Sequence, residues 1–135
     1  MVNLLPLTSL VTLATLLIYF WMARQVGVAR GKHDVPAPRT DGPDAFLRVQ
    51  RVHANTMEGL LLFLPVLWLF AFAYGDVLAA VIGVFYPIGR ILFAQGYYQA
   101  ADKRGRGFLV GLVATGILFL GSLAAAVMSI AEIYL

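Results

Sequence analysis

The sequence predicts an all-α integral membrane protein, a four-transmembrane-helix bundle with up-down connectivity, and three observations carry that prediction. Of the 135 residues, 61% are hydrophobic and 13% charged, with a mean hydropathy of +0.83. A soluble domain is about half apolar and about a quarter charged, and a chain this short cannot hide such an excess in one water-soluble core. The apolar residues also gather into four runs, and a span needs about 20 mostly apolar residues to cross a hydrocarbon layer about 30 Å thick. Finally, nine of the ten Lys and Arg residues fall on one side of those runs. Residues 1–135 read as a single membrane domain.

The first helix is expected from about Leu4 to Val28. No Lys or Arg precedes Arg24 and the apolar run is longer than a signal peptide's, so the segment is read as a retained span. The second is expected at 46–74. Its apolar half, Gly59 to Tyr74, is too short alone, and a polar first half starting near Phe46 completes it. The third is expected at 77–101, with Arg90 inside it, and the fourth at 108–131. Lipid offers no partner to open backbone groups, and the runs lack the alternation of barrel strands, so all four are helices. Gly31 to Pro43 holds three prolines and two glycines and reads as a true loop. Tyr74-Gly75-Asp76 is a tight turn that makes the second and third helices an antiparallel hairpin, and Ala101 to Gly107 is a short basic turn. Pro65 and Pro87 lie within helices and are expected to kink them.

Charge placement orients the bundle. Arg24, Arg30, Lys32, Arg39, Arg48 and Arg51 cluster around the first loop, and Lys103, Arg104 and Arg106 lie in the third. Positive residues mark the cytoplasmic side, which puts both termini on the other face. The sequence pI of about 9.5 is therefore topogenic and site-forming rather than a nucleic-acid footprint. The absence of cysteine excludes a disulfide framework, a thiolate metal site and a Cys nucleophile. His33 is in the loop and His53 lies off the polar face, with no HExxH pattern, so no metal is expected.

The polar half of the second helix carries the chemistry. Arg48, Arg51, Asn55 and Glu58 are spaced by three, four and three residues, which at about 100° per residue confines them to a stripe about 80° wide. Ionised groups near a membrane interior are costly unless paired or wet, so such a stripe marks a functional site. A snorkelling helix end accounts for Arg48 and Arg51 but not for Asn55 and Glu58, which carry the stripe on towards the apolar run. Arg90 poses the same problem. Glu58 lies 17 residues before Gly75 and Arg90 15 beyond it, so their depths match across the hairpin. A direct Glu58–Arg90 ion pair is expected, with ligand contact as the alternative. Tyr86, Arg90, Phe93 and Tyr97 share one helical face. Small-residue spacings such as Gly107/Gly111 fit close helix packing.

Arginines bind carboxylates bidentately and a Glu binds an ammonium. A zwitterionic peptide with two carboxylates would use the whole set, with an apolar co-substrate arriving from the bilayer. Glutathione fits that description.

The segment Arg48-Val-Gln-Arg51-Val-His-Ala-Asn55-Thr-Met-Glu58 resembles the signature of the MAPEG family, the membrane-associated proteins of eicosanoid and glutathione metabolism. The resemblance extends over nearly the whole chain, through the approach to the second helix at Gly42 to Phe46, Gly89-Arg90, Gly96-Tyr97 and the basic third loop. It implies a homotrimer of four-helix subunits, with glutathione in crevices between subunits near the cytosolic face and lipophilic small molecules as its co-substrates. Carried over by position, Arg51, Asn55 and Glu58 would bind the polar ends of glutathione, assisted by Arg30 and Arg48. Tyr97 would contact the peptide, and Arg90 would join the site or brace it. Arg106 matches the arginine that holds the sulfur as thiolate, with Lys103 and Arg104 as its neighbours in register. Leu47 stands where many members have Glu, and Gly31 where some eukaryotic synthases have a second basic residue; neither touches the central triplet. The short loops suggest a bacterial member, in the inner membrane.

The implied function is a glutathione-dependent transferase or peroxidase acting on lipophilic electrophiles, with a role in detoxification. Two other classes compete. A small four-helix multidrug transporter would use a membrane-embedded Glu in its first helix, and none is present here. A catalytically silent MAPEG-like protein would keep the fold without turnover, and conjugation of a chloronitrobenzene separates it from the transferase. The topology itself is testable: single cysteines at Gly42 and Gly105 should label from the cytoplasmic side and a cysteine at Gly75 from the other. Same-side labelling would overturn the four-span reading.

Overall fold

A computed structural model describes residues 5–134, and it is all-helical. Helix α1 spans Pro6–His33, α2 Asp44–Tyr74, α3 Asp76–Gly83, α4 Phe85–Gln99 and α5 Gly105–Tyr134, with one 3-10 turn at Ala101–Arg104. Helices α3 and α4 follow one another as one span, so four stretches are long and apolar enough to cross a membrane: Pro6–His33, Asp44–Tyr74, Asp76–Gln99 and Ala101–Tyr134.

The helices run past most of the boundaries that hydropathy suggests. The expected start of the first, Leu4, lies outside the described residues. That helix continues beyond Val28 to His33, because hydropathy reports where lipid ends and nothing in Gly31-Lys32-His33 breaks a helix. Its last turn carries Arg30, Lys32 and His33, where basic groups suit the negative end of the helix dipole. Asp34, at φ 53°, ends it, just before Val35-Pro36 disfavours helical backbone. At the opposite end, Pro6 occupies the first turn, and the carboxylate of Asp76 accepts the backbone N–H groups of Leu7 at 3.0 Å and Thr8 at 2.8 Å. The first residue of α3 thus caps α1, supplying an acceptor to two amides that a helix start leaves free.

Helix α2 passes through Pro65 without interruption. The third span does not: it breaks at Val84, one turn before Pro87. A proline lacks the N–H that would bond to the carbonyl four residues earlier, here that of Gly83, and its ring crowds that carbonyl. The hairpin between α2 and α3 turns on Gly75, whose φ of +94° suits glycine alone.

Three buried clusters hold the helices together. Phe63, Leu67, Ala79 and Leu118 are fully buried between α2, α3 and α5. Met22, Val52, Phe93 and Ala94 form a second cluster between α1, α2 and α4, and Ala29, Val35 and Phe46 a third at the first loop. Leu17, Phe20, Leu61, Phe72 and Leu120 stay exposed, as side chains facing hydrocarbon should.

The tightest approach is between α4 and α5. A Cβ on Gly89 would sit 2.7 Å from the Gly111 nitrogen and 2.9 Å from the Gly107 carbonyl oxygen, and one on Gly107 would run into the Phe93 backbone. Only glycine lets the two backbones come this close, the use the Gly107/Gly111 spacing suggests. Gly107→Ala is therefore expected to destabilise the protein by about 1–3 kcal/mol through overpacking. Gly116→Ala, with open space around its Cβ position, should leave thermal unfolding in detergent nearly unchanged.

Candidate functional site

The stripe on α2 forms a connected polar chain. Arg51 Nη1 donates to Glu58 Oε1 at 3.2 Å, and Asn55 Nδ2 donates to Glu58 Oε2 at 3.5 Å. Both charged side chains are about half exposed (54% and 53%). An open ion pair contributes only about 0–1 kcal/mol to stability, so its partners are free to exchange for a ligand. His53 points away from the stripe and stacks on Tyr19 with ring centroids 4.7 Å apart.

Arg90 is only 3% exposed, and the expected direct ion pair with Glu58 is not formed. Its Nη2 donates to Asn55 Oδ1 at 2.9 Å and to Thr56 Oγ1 at 2.9 Å, while Nε donates to the same hydroxyl at 3.2 Å. The guanidinium lies over the Phe93 ring at 4.0 Å and near Tyr86 at 5.9 Å. Glu58 and Arg90 line the same small cavity, at matching depth across the hairpin, but Asn55 and Thr56 meet Arg90 while Glu58 is turned to Arg51. The two charges are joined through Asn55. Sequence reasoning missed Thr56, whose own hydroxyl donates to Val52 O at 2.8 Å. The signal was there, because a buried arginine needs several acceptors and Thr56 is the next residue along.

Two cavities flank this chain. A cleft of about 530 Å³ is lined by Asp44, Leu47, Arg48, Gln50, Arg51 and Tyr97, among others. A smaller one of about 260 Å³ holds Asn55, Glu58, Tyr86 and Arg90 against the apolar walls of Leu62, Phe108 and Leu112. Arg51 and Glu58 stand on opposite sides of the division. In the larger cleft the Nε of Arg48 is buried with no acceptor among the described residues, a donor left for a ligand or a neighbouring group. Asp44 and Gln50 are cleft residues that the spacing argument did not single out.

The remaining expected site residues are dispersed. Tyr97 lines the larger cleft and packs edge-on against Phe93. Arg104 lies over the Tyr97 ring at 5.3 Å, and its Nη1 donates to Ala101 O at 2.7 Å; Ala101 is itself a cleft residue. Arg104 and Arg106 are both exposed and line neither cavity, but Arg104 rests on two cleft residues. Arg30 is turned to the first loop, donating to Arg39 O at 2.7 Å and Val35 O at 3.3 Å above the Phe46 ring. That loop is clipped at its tip by an exposed Arg39–Asp41 pair at 3.0 Å, and the hydrogen bond from Arg39 holds the Asp41 carboxyl below its ordinary range. Within one chain the structure thus brings together Arg48, Arg51, Asn55, Glu58, Arg90 and Tyr97, and leaves Arg30 and Arg106 apart from them.

A four-span helical membrane protein with an arginine-lined cleft at its basic end, joined through Arg51 to Glu58 and Asn55 of a smaller cavity, is the class that this fold and site define. Residues 8–124 match the MAPEG family, and the chain belongs to that family. It is 45% identical over 115 residues to an uncharacterised protein of the cyanobacterium Synechocystis sp., covering 85% of this chain and 84% of the relative. It is 39% identical over 106 residues to human microsomal glutathione S-transferase 2, covering 78% and 70%. To mouse leukotriene C4 synthase it is 37% identical over 98 residues, covering 73% and 65%.

The Thr56 contact can be checked directly. Thr56→Val keeps the shape and removes the hydroxyl that two Arg90 nitrogens share, so it should lower stability by about 1–3 kcal/mol, the cost of leaving buried donors without an acceptor. Denaturation in mild detergent would measure it.

Proposed function

We propose that the protein is a glutathione-dependent transferase or peroxidase acting on lipophilic electrophiles. The observation that carries this reading is the larger cleft, where Arg48, Arg51 and Tyr97 meet at the basic end of an apolar bundle and connect to Asn55 and Glu58. Arg48 and Arg51 suit the two carboxylates of glutathione, and Glu58 suits its ammonium. The names of the relatives, a microsomal glutathione S-transferase and a leukotriene C4 synthase, point the same way. The electrophile would arrive from the bilayer, and detoxification of such compounds is the physiological role that follows.

In the chemical step the glutathione thiolate attacks the electrophilic carbon. A C–S bond forms, and the leaving group departs with its electron pair. A thiol of pKa about 8.5 is only a few per cent ionised at pH 7. Lowering that pKa by about two units takes about 2.7 kcal/mol of preference for the anion and raises the thiolate fraction about 25-fold. A poorly solvated guanidinium beside the sulfur can supply it. Arg106 was the residue expected from the family pattern. Its neighbour Arg104 is the better candidate, because its side chain rests on two residues of the cleft, the Tyr97 ring and the Ala101 carbonyl. Arg106 would act only if its exposed side chain entered the cleft of an adjoining subunit, as Arg30 would also have to do.

A homotrimer belongs to the same proposal. Arg51 and Glu58 are half exposed in a single chain, and a neighbouring subunit is the cover that would keep them from lipid. The protein would sit in a bacterial inner membrane with both termini away from the cytoplasm.

Conjugation of glutathione to a chloronitrobenzene tests the activity, and its absence despite glutathione binding would favour the silent family member. Arg104→Ala should abolish the ultraviolet thiolate absorbance of bound glutathione and cut turnover, while affinity falls little. Arg51→Ala should instead weaken binding by about tenfold or more, since a charged hydrogen-bond partner is lost. If Arg106→Ala removes the thiolate signal and Arg104→Ala does not, the sulfur lies at Arg106.

A further inference from the structure

Asn55 stands between a group that can only donate hydrogen bonds and one that can only accept them. A guanidinium carries five N–H donors and no acceptor, and an ionised carboxylate has no donor. The Asn55 atom 2.9 Å from Arg90 Nη2 is therefore its carboxamide oxygen, and the one 3.5 Å from Glu58 Oε2 is its nitrogen. Both neighbours dictate the same orientation. A flip would place an NH2 group against the guanidinium and an oxygen against the carboxylate.

Arg90 is itself held. Its Nε and Nη2 converge on Thr56 Oγ1, the Thr56 hydroxyl is committed to Val52 O, and the guanidinium face rests on Phe93. Buried as it is, it has little room to follow a ligand.

We infer that Arg90 is a positioning residue that locks Asn55 as a hydrogen-bond donor, so that this point of the site selects a ligand oxygen — carboxylate or peptide carbonyl — and rejects a donor group. The inference rests on the glutathione reading and deepens it. Asn55 donates into the smaller cavity on the Glu58 side of the division, so a ligand oxygen is received there beside the carboxylate that takes an ammonium, while Arg48 and Arg51 serve the larger cleft. Arg90 contributes through Asn55 rather than by contact with the ligand, which separates it from Arg51.

A double-mutant cycle tests the difference. Glutathione affinity is measured by titration calorimetry on the full chain in detergent for the unaltered protein, Arg90→Lys, Asn55→Ala and the double variant. Lys keeps the charge but cannot grip Thr56 and Asn55 together, so Arg90→Lys should weaken binding about tenfold, and Asn55→Ala by a similar factor. In the double variant the loss should be no greater than in either single one, since residues acting as one unit do not add. Losses that multiply to about a hundredfold, or an Arg90→Lys protein that binds as the unaltered one does, would overturn the inference.

Asn55→Asp supplies the test should Arg90→Lys fail to fold. It retains an acceptor for Arg90 and removes the donor, so affinity should fall as in Asn55→Ala, while tight binding would overturn the inference. Affinity absent from the unaltered protein would instead remove the glutathione reading, and this inference with it.

Discussion

A guanidinium cannot be left unpartnered among hydrocarbon, and the arrangement of this protein's polar residues follows from that. Arg90 lies in the third span, 15 residues from the turn, where water cannot solvate it. Its hydrogen bonds reach across to α2, to Thr56 and Asn55, and its face rests on Phe93. The nearest acceptors are neutral, and Arg90 is linked to Glu58 through the Asn55 carboxamide rather than directly, while Glu58 pairs with Arg51. With Arg48 on the same face and Asp44 in the larger cleft, three arginines stand against two carboxylates. The site is left with a surplus of positive charge, which is what an anionic ligand requires.

This polar chain depends on the helices around it being held without polar help. Helices α4 and α5 are joined by glycine contacts at Gly89, Gly107 and Gly111, and α1 is fastened at its start by Asp76 from α3. Lipid competes fully for apolar side chains, so close backbone packing and satisfied backbone groups, rather than hydrophobic burial, give the bundle its specificity. The α4–α5 contact carries the 3-10 turn between them, so a packing feature sets where Ala101, a cleft residue, and Arg104 beside it stand.

Much of this was legible in the amino-acid sequence. Four apolar runs gave the spans, because membrane thickness imposes their length. The three-four-three spacing of Arg48, Arg51, Asn55 and Glu58 gave the stripe, because helical periodicity fixes which residues share a face. The helix ends were less legible: α1 continues past Val28 and α5 begins at Gly105, since polar residues outside hydrocarbon remain helical until a proline or a left-handed residue stops them. The partner of Arg90 was missed for a related reason. Counting residues from a turn gives depth but not rotation, and rotation decided between Glu58 and its neighbours three and two residues away.

The third loop shows the same limit. Lys103, Arg104 and Arg106 lie within four residues, and a charge count cannot rank them. Their ranking comes from backbone geometry. Ala101–Arg104 form a 3-10 turn, which is tighter than an α-helix and folds Arg104 back over Tyr97 and the Ala101 carbonyl. Arg106 belongs to the next element. It is adjacent to Gly107, whose position against Phe93 and Gly89 fixes the rotation of α5, and neighbouring helical residues point about 100° apart. With Gly107 turned inward, Arg106 is held facing out. Of the three, Arg104 is the one whose side chain rests on residues of the larger cleft.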